Sequence, residues 1–410
     1  MYSRRWTRSI PKVLLTLAVF LTIVATTANA QQSPMRQGKS HLLGDDGPRT
    51  RAISNARSMQ RSASNISADS SNVKYKTVPI GVLPGKTNSA INEEVNIINN
   101  HGHVAGFSFV AENPYGTAQP FLWKSGKLQA LPLPTGASAG FANGVNDRDQ
   151  VIAETNEVDS NGVRVRRAFL LDHGKVVVLG ELDADSNTQP FAINYWGSVV
   201  GRNKNRVDGH DTPVVWYGGK IHALPLLVGE SDGIAFGIND FGVISGYQQE
   251  PDDVSETACL WYWNGSGYTA VALGSLGGNY SQASGVNNWG QAVGSSTNAG
   301  DLNGLAAIWD WHGPHSLPLL PGDTDGFAQA INDLGQITGF NTGVDENGND
   351  TQAVVLWQNG KVTDLQTVVP AGFPDLTDIG NVNRLGQIVV LTQDPDDGSF
   401  APYVLIPKEH

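Results

Sequence analysis

A single cysteine in 410 residues rules out an internal disulfide and any cysteine-based zinc centre. Charge is sparse as well, at 16% of residues where about 25% is ordinary. Beyond the first 30 residues no apolar run is long enough to cross a bilayer as a helix. Turn-free stretches of helical length are also scarce, because 47 glycines, about 11% of the chain against the usual 7% or so, and 21 prolines punctuate it. What remains is 40% hydrophobic, enough for a sizeable core and too much for a disordered chain. These features point to an all-β protein held by packing and topology.

The first 30 residues read as a signal peptide. Arg4, Arg5, Arg8 and Lys12 form a basic start, Val13 to Ala25 is apolar, and Ala28-Asn29-Ala30 is a small-x-small cleavage site before Gln31. Export by the general secretory route follows, to the periplasm or the medium, with no membrane span after cleavage and no cysteine for a lipid anchor. Residues 31–72 are rich in Ser, Gln, Arg and Asn and read as a disordered linker. Residues 1–72 carry ten Lys/Arg and three Asp/Glu, whereas 73–410 carry 17 and 36. So acidic a domain repels nucleic acid and anionic lipid, which excludes both as partners.

From residue 90 onward one pattern recurs seven times: Ile or Val, Asn, two variable residues, Gly, then an apolar strand. Its asparagines are Asn99, Asn146, Asn194, Asn239, Asn287, Asn332 and Asn383, at steps of 45 to 51 residues. About 20 residues later comes an apolar block that often ends in Trp, as in Pro213-Val214-Val215-Trp216, and then a Leu-Pro-Leu block such as Leu224-Pro225-Leu226. Each unit therefore has room for four short strands, the signature of a propeller blade. The seventh unit ends at His410 before its fourth strand, and Lys76 to Gly85 resembles the missing piece. The expectation is an all-β, seven-bladed β-propeller of four-stranded blades spanning 73–410, closed by an N-terminal strand completing the last blade, and monomeric.

The blocks Ile-Asn-x-x-Gly-Gln-Ile-x-Gly at Ile331 to Gly339 and Ala-Phe-Leu at Ala168 to Leu170 resemble the HAF repeat family of bacterial extracellular repeats. The resemblance covers nearly all of 73–410. It departs in lacking the His of the His-Ala-Phe block and in carrying Asp149 where the turn Gly is expected. It implies an exported repeat domain and supplies no catalytic residues.

The marker asparagines read as turn formers, each capping backbone N–H groups ahead of a Gly that tolerates positive φ. Trp123, Trp216, Trp261, Trp309 and Trp357 read as inter-blade core and Cys259 as a buried hydrophobe. His101 and His103 project to the same side of one turn as a candidate metal pair. The acids are lopsided: assigning charges to loops puts 26 acids and seven bases on the face opposite the Asn turns. Two functions follow. The first is a non-enzymatic binding or interaction module that takes an extracellular ligand or protein on this acidic loop face, with Asp183, Asp185, Asp232, Asp323 and Asp325 as weak ligand contacts. Calcium could assist at Asp345, Asn347, Asn349 and Asp350, whose oxygens alternate as in a partial calcium loop. The alternative is an extracellular polysaccharide hydrolase or lyase using those carboxylates near the axis as acid and base.

Overall fold

The computed structural model describes residues 74–92, 96–158, 162–251 and 255–408. The signal segment and linker expected from the sequence lie outside the described residues. Within them the chain is β throughout, apart from a four-residue helix at Pro114–Thr117 and a 3-10 turn at Leu365–Val368. No described helix is long and apolar enough to cross a membrane.

The third repeat shows the plan. Strands Ser186–Ile193, Val199–Asn205, Asp211–Tyr217 and Lys220–Ala223 pair antiparallel in chain order. From the second repeat to the seventh, the first strand of one packs against the first strand of the next, which sets these strands nearest the axis of a β-propeller. The fourth strand ends just before the Leu-Pro-Leu block, one residue group earlier than the sequence suggested, because Pro225 has no N–H to give to the ladder.

The expectation of seven separate four-stranded blades needs correction. Five sheets are separate and four-stranded, whereas the fourth and fifth repeats share one eight-stranded sheet. The join is a single parallel bridge, Glu256 to Tyr280. It forms because the first strand of the fifth repeat starts early, at Gly277, and so reaches the tip of its neighbour's Glu256–Trp263 strand.

The two ends of the domain meet. Tyr75–Pro79 lies antiparallel to Phe400–Pro407, with Tyr75 opposite Pro407 and Pro79 opposite Tyr403. Tyr75 enters the core of the last repeats, and Ile80 and Leu83 pack with Ile97, Val104 and Val404, tying the first repeat to the last. The pairing covers the edge that the strand Phe400–Pro407 would otherwise expose.

Adjacent repeats are stitched by recurring side-chain links as well as by apolar contact. The indole N–H groups of Trp216, Trp261, Trp309 and Trp357 donate to carbonyls of the preceding repeat, at Gly180, Pro225, Gly274 and Pro318. A polar residue near the end of the second strand, such as Ser108, Asn203, Gln248, Ser296 or Asn341, accepts the N–H of a Leu in the preceding connection. Cys259 is buried among these contacts, and burial pushes its thiol far above the ordinary range, so it is no nucleophile.

Candidate functional site

Each marker Asn builds its own turn and also reaches beyond it. In all seven copies Oδ1 accepts the N–H groups two and four residues on, as at Asn239 with Phe241 and Val243. The amide nitrogen then donates to the backbone carbonyl of the marker Asn in the next repeat, at 2.9 to 3.3 Å. The last of these links, from Asn383 to Asn99, closes a belt that runs through all seven repeats. The seven asparagines are 3–6% exposed, so the bonds are made away from water.

The residue after each marker belongs to a second, looser run of links, which is broken between Asp147 and Tyr195. The N–H of Asn100 donates to Asp147, that of Tyr195 to Asp240, that of Asp240 to Asn288, and that of Asn288 to Asp333. Arg384 joins its two ends across the seam, giving its N–H to Asn100 and its guanidinium to Asp333 at 2.7 Å. Outside this run stand the turn tips. In five consecutive repeats the tip is apolar, with Trp196, Phe241, Trp289, Leu334 and Leu385 60–76% exposed. The two indoles are not loose: Trp196 donates to the carbonyl of Asp240 and Trp289 to that of Asp333, at 3.0 and 2.8 Å. Those bonds tether both rings while they stay 68% and 73% exposed. Turn tips of ordinary domains are polar, so an apolar tip repeated on five successive turns is unusual.

The loop face is arranged differently from the sequence expectation. Asp232 and Asp325 sit at the starts of first strands and accept the N–H of Asp211 and of Gly304, which begin the third strand of the preceding repeat. They clip neighbouring repeats together, and Asp232 also binds His210 at 2.9 Å. Asp183 and Asp185 are exposed; Asp185 pairs with Arg206 and the carbonyl of Asp183 closes a turn with Ser186. Asp323 is half-buried at a strand start. Among the described residues none of these five joins two other His, Cys, Asp or Glu ligand atoms within 4.8 Å. Asp345 folds back on its own loop, its oxygens accepting from Asn347, from the backbone and side chain of Asn349, and so repeating the marker turn. Those bonds, the Asn349 side chain first, hold its carboxyl below the ordinary range. Asn347 is exposed and Asp350 opens the next strand. Two acids counted on this face, Glu256 and Asp378, are buried inside it.

A polar cluster that sequence reasoning missed lies toward the same face, across repeats two to four. Glu154 is 8% exposed, with Arg166 at 3.8 Å, and its Oε2 is buried without a hydrogen-bond partner. Arg202, also buried, binds Gln189 and stands 3.4 Å from Asp211. Burial raises the Glu154 carboxyl more than Arg166 and Arg202 lower it. Burial likewise raises Tyr247 well above its usual range, helped by Glu256 and Asp211. No spacing rule exposes such a cluster, because its members come from separate strands and repeats.

The sign of the Glu154 shift yields a prediction. Its folded pKa lies above the unfolded one, so the folded state keeps the proton and stability falls as pH rises from the ordinary carboxyl range through that raised value. Glu154→Gln, neutral at every pH, is expected to melt higher than the parent at pH 8 and to flatten that decline. Thermal melts between pH 4 and 8 check this; parallel curves for the two proteins would refute it.

No family model and no curated protein matches the chain. Solved structures that it resembles are of distant sequence. An oligogalacturonate lyase from Vibrio parahaemolyticus is 11% identical with a TM-score of 0.50, over 82% of this chain and 96% of the other. A gluconolactonase from Xanthomonas campestris is 8% identical with a TM-score of 0.36, over 82% and 97%. The β-propeller domain of the Trilobed protease from Pyrococcus furiosus is 11% identical with a TM-score of 0.35, over 68% and 96%. At such identities the likeness concerns the fold.

Proposed function

We propose that this chain is an exported, non-catalytic binding propeller of the HAF-repeat kind, whose eight-stranded sheet works as two blades so that seven units circle one axis. Its ligand surface is the Asn-turn face rather than the acid-rich loop face, and its ligand class is carbohydrate. The observation that carries this is the crown at Trp196, Phe241, Trp289, Leu334 and Leu385, exposed on five successive turns. Sugar rings present C–H faces that stack on indole, and a stacking surface gains most when its rings are held in place beforehand. Hydrogen bonds to Asp240 and Asp333 hold both indoles. The carboxylates and amide of Asp240, Asn288 and Asp333 run beside them and offer polar edges for hydroxyl groups. On the loop face, by contrast, Asp232 and Asp325 are engaged in joining repeats.

Calorimetric titration of the chain from Gln31 onward against a panel of neutral and acidic polysaccharides tests the proposal. Trp196→Ala and Trp289→Ala are each expected to weaken binding about tenfold, the value of one stacked ring, while the melting temperature moves by only ~2 °C. Failure to bind any member of the panel, or equal binding by the double variant, would overturn it.

A second reading, a polysaccharide hydrolase or lyase, is favoured by one observation: the Glu154 carboxyl, raised by burial and set beside Arg166 and Arg202, has the character of a general acid. Turnover of any panel member that Glu154→Gln abolishes would establish it over the non-catalytic proposal.

A further inference from the structure

Three departures from the repeat meet at one place. The fourth position of the Asn turn is Gly in six copies and Asp149 in the second, which holds φ at +58°, a conformation that costs a side-chain-bearing residue and suits Gly. The fifth position is Gln in four copies, and in three of them its side chain lies over the turn Gly of the next repeat: Gln387 over Gly102, Gln150 over Gly197, Gln336 over Gly386. The first repeat has His103 there instead, so it is His103 that faces Asp149. The tip position, apolar in five copies, is His101 in the first. A carboxylate and two imidazoles thus stand together at turn positions that in the other copies hold Gly, mostly Gln, and mostly apolar tips.

We infer that His101, His103 and Asp149 form a binding site for a divalent ion of the zinc class. The ligand atoms of the three all lie within 4.8 Å of one another, and no other described group of three or more His, Cys, Asp or Glu does this. The two imidazoles tilt toward one another at a centroid distance of 5.8 Å. His103 Nδ1 stands 2.7 Å from Asp149 Oδ1. Donors bound side by side to one ion at about 2.0–2.2 Å each are roughly 3 Å apart, so a small parting of this pair admits the metal. Lys124 binds Oδ2 of the same carboxylate at 2.6 Å and Asn99 supports Oδ1, which orients Asp149 as outer partners orient metal ligands. Two nitrogens and one oxygen favour zinc, cobalt or nickel over calcium, which takes oxygen alone. Three protein ligands leave a coordination position open to solvent on the crown face.

Tag-free chain stripped with EDTA and titrated with Zn2+ by calorimetry is the test, with thermal melts in parallel. One equivalent is expected to bind and raise the melting temperature. Asp149→Gly is the informative variant, since it restores the residue that the other six turns carry and relieves the strain. It is expected to fold and melt at least as high as the stripped parent, yet to bind Zn2+ about 100-fold more weakly. His101→Ala, an exposed position, is expected to weaken binding similarly without loss of fold. Absence of a one-equivalent Zn2+ site in the parent, or unchanged affinity in Asp149→Gly, would overturn the assignment.

Discussion

Asn239→Ala is expected to destabilise the protein by about 2–4 kcal/mol, read as a lowered urea midpoint. The side chain makes three bonds in a site only 5% exposed. Its oxygen accepts the N–H groups of Phe241 and Val243 at 3.0 and 2.9 Å, and its nitrogen donates to the carbonyl of Asn287 at 2.9 Å. Alanine leaves two donors to be met by whatever water reaches the turn, while the Asn287 carbonyl keeps only its bond from the Gly290 N–H, and unmet buried groups cost about 1–3 kcal/mol each. Asn239→Asp separates the contributions. It keeps the acceptor that shapes the turn, gives up the donor to the next repeat, and brings a negative charge toward a carbonyl. If the belt matters, the Asp variant is destabilised too; if only the turn matters, it behaves like the parent. A midpoint unchanged in both variants would remove the belt from the account of stability.

The closing strand carries the other large effect. A chain that begins at Lys86 is expected to lose cooperative folding, while one that begins at Val73 keeps it. The shorter chain lacks Tyr75, Ile80 and Leu83, all buried, and the five register pairs between Tyr75–Pro79 and the last strand. Burying each such side chain contributes about 1.5–3 kcal/mol, so the apolar part alone approaches the 5–15 kcal/mol that a domain has in hand. The uncovered strand Phe400–Pro407 would also present an unpaired edge through residues as apolar as Val404, Leu405 and Ile406, and aggregation follows from that. Circular dichroism melts and light scattering distinguish the outcomes. A synthetic peptide spanning Lys74 to Gly85 added to the shorter chain should restore a cooperative melt. A Lys86 chain that melts like the longer one would show that the ring does not depend on its seam.

Much of this architecture was legible because the sequence repeats its turn chemistry. Asn followed three residues later by Gly announces a tight turn, and Asn239 with Gly242 forms that turn by the bonds its side chain suggests. The Leu-Pro-Leu resemblance near Lys76 pointed to the strand that meets Phe400–Pro407. What sequence could not supply was lateral distance. Nothing in a 48-residue step says that the nitrogen of Asn239 touches the backbone of Asn287. For the same reason the pairing of Glu154 with Arg166 across a strand, and of His103 with Asp149 across a repeat boundary, became visible only in three dimensions. Charge counting misled where strand ends were taken for loops, as with Glu256 and Asp378, which point inward. The crown was written in plain view at Trp196, Phe241 and Trp289. An apolar residue at a turn tip has no turn-forming reason to be there, and that was the signal available.

The Asn belt also has a sense of circulation. Every link passes from a side chain to a main-chain carbonyl one unit further round, and no link returns. Main-chain carbonyls survive any substitution, so a unit that loses its asparagine can still receive from the unit behind it and fails only to give to the unit ahead. Lesions in such a circuit stay local and act singly instead of unravelling the whole, so that one copy can lose its asparagine while the wheel stays shut.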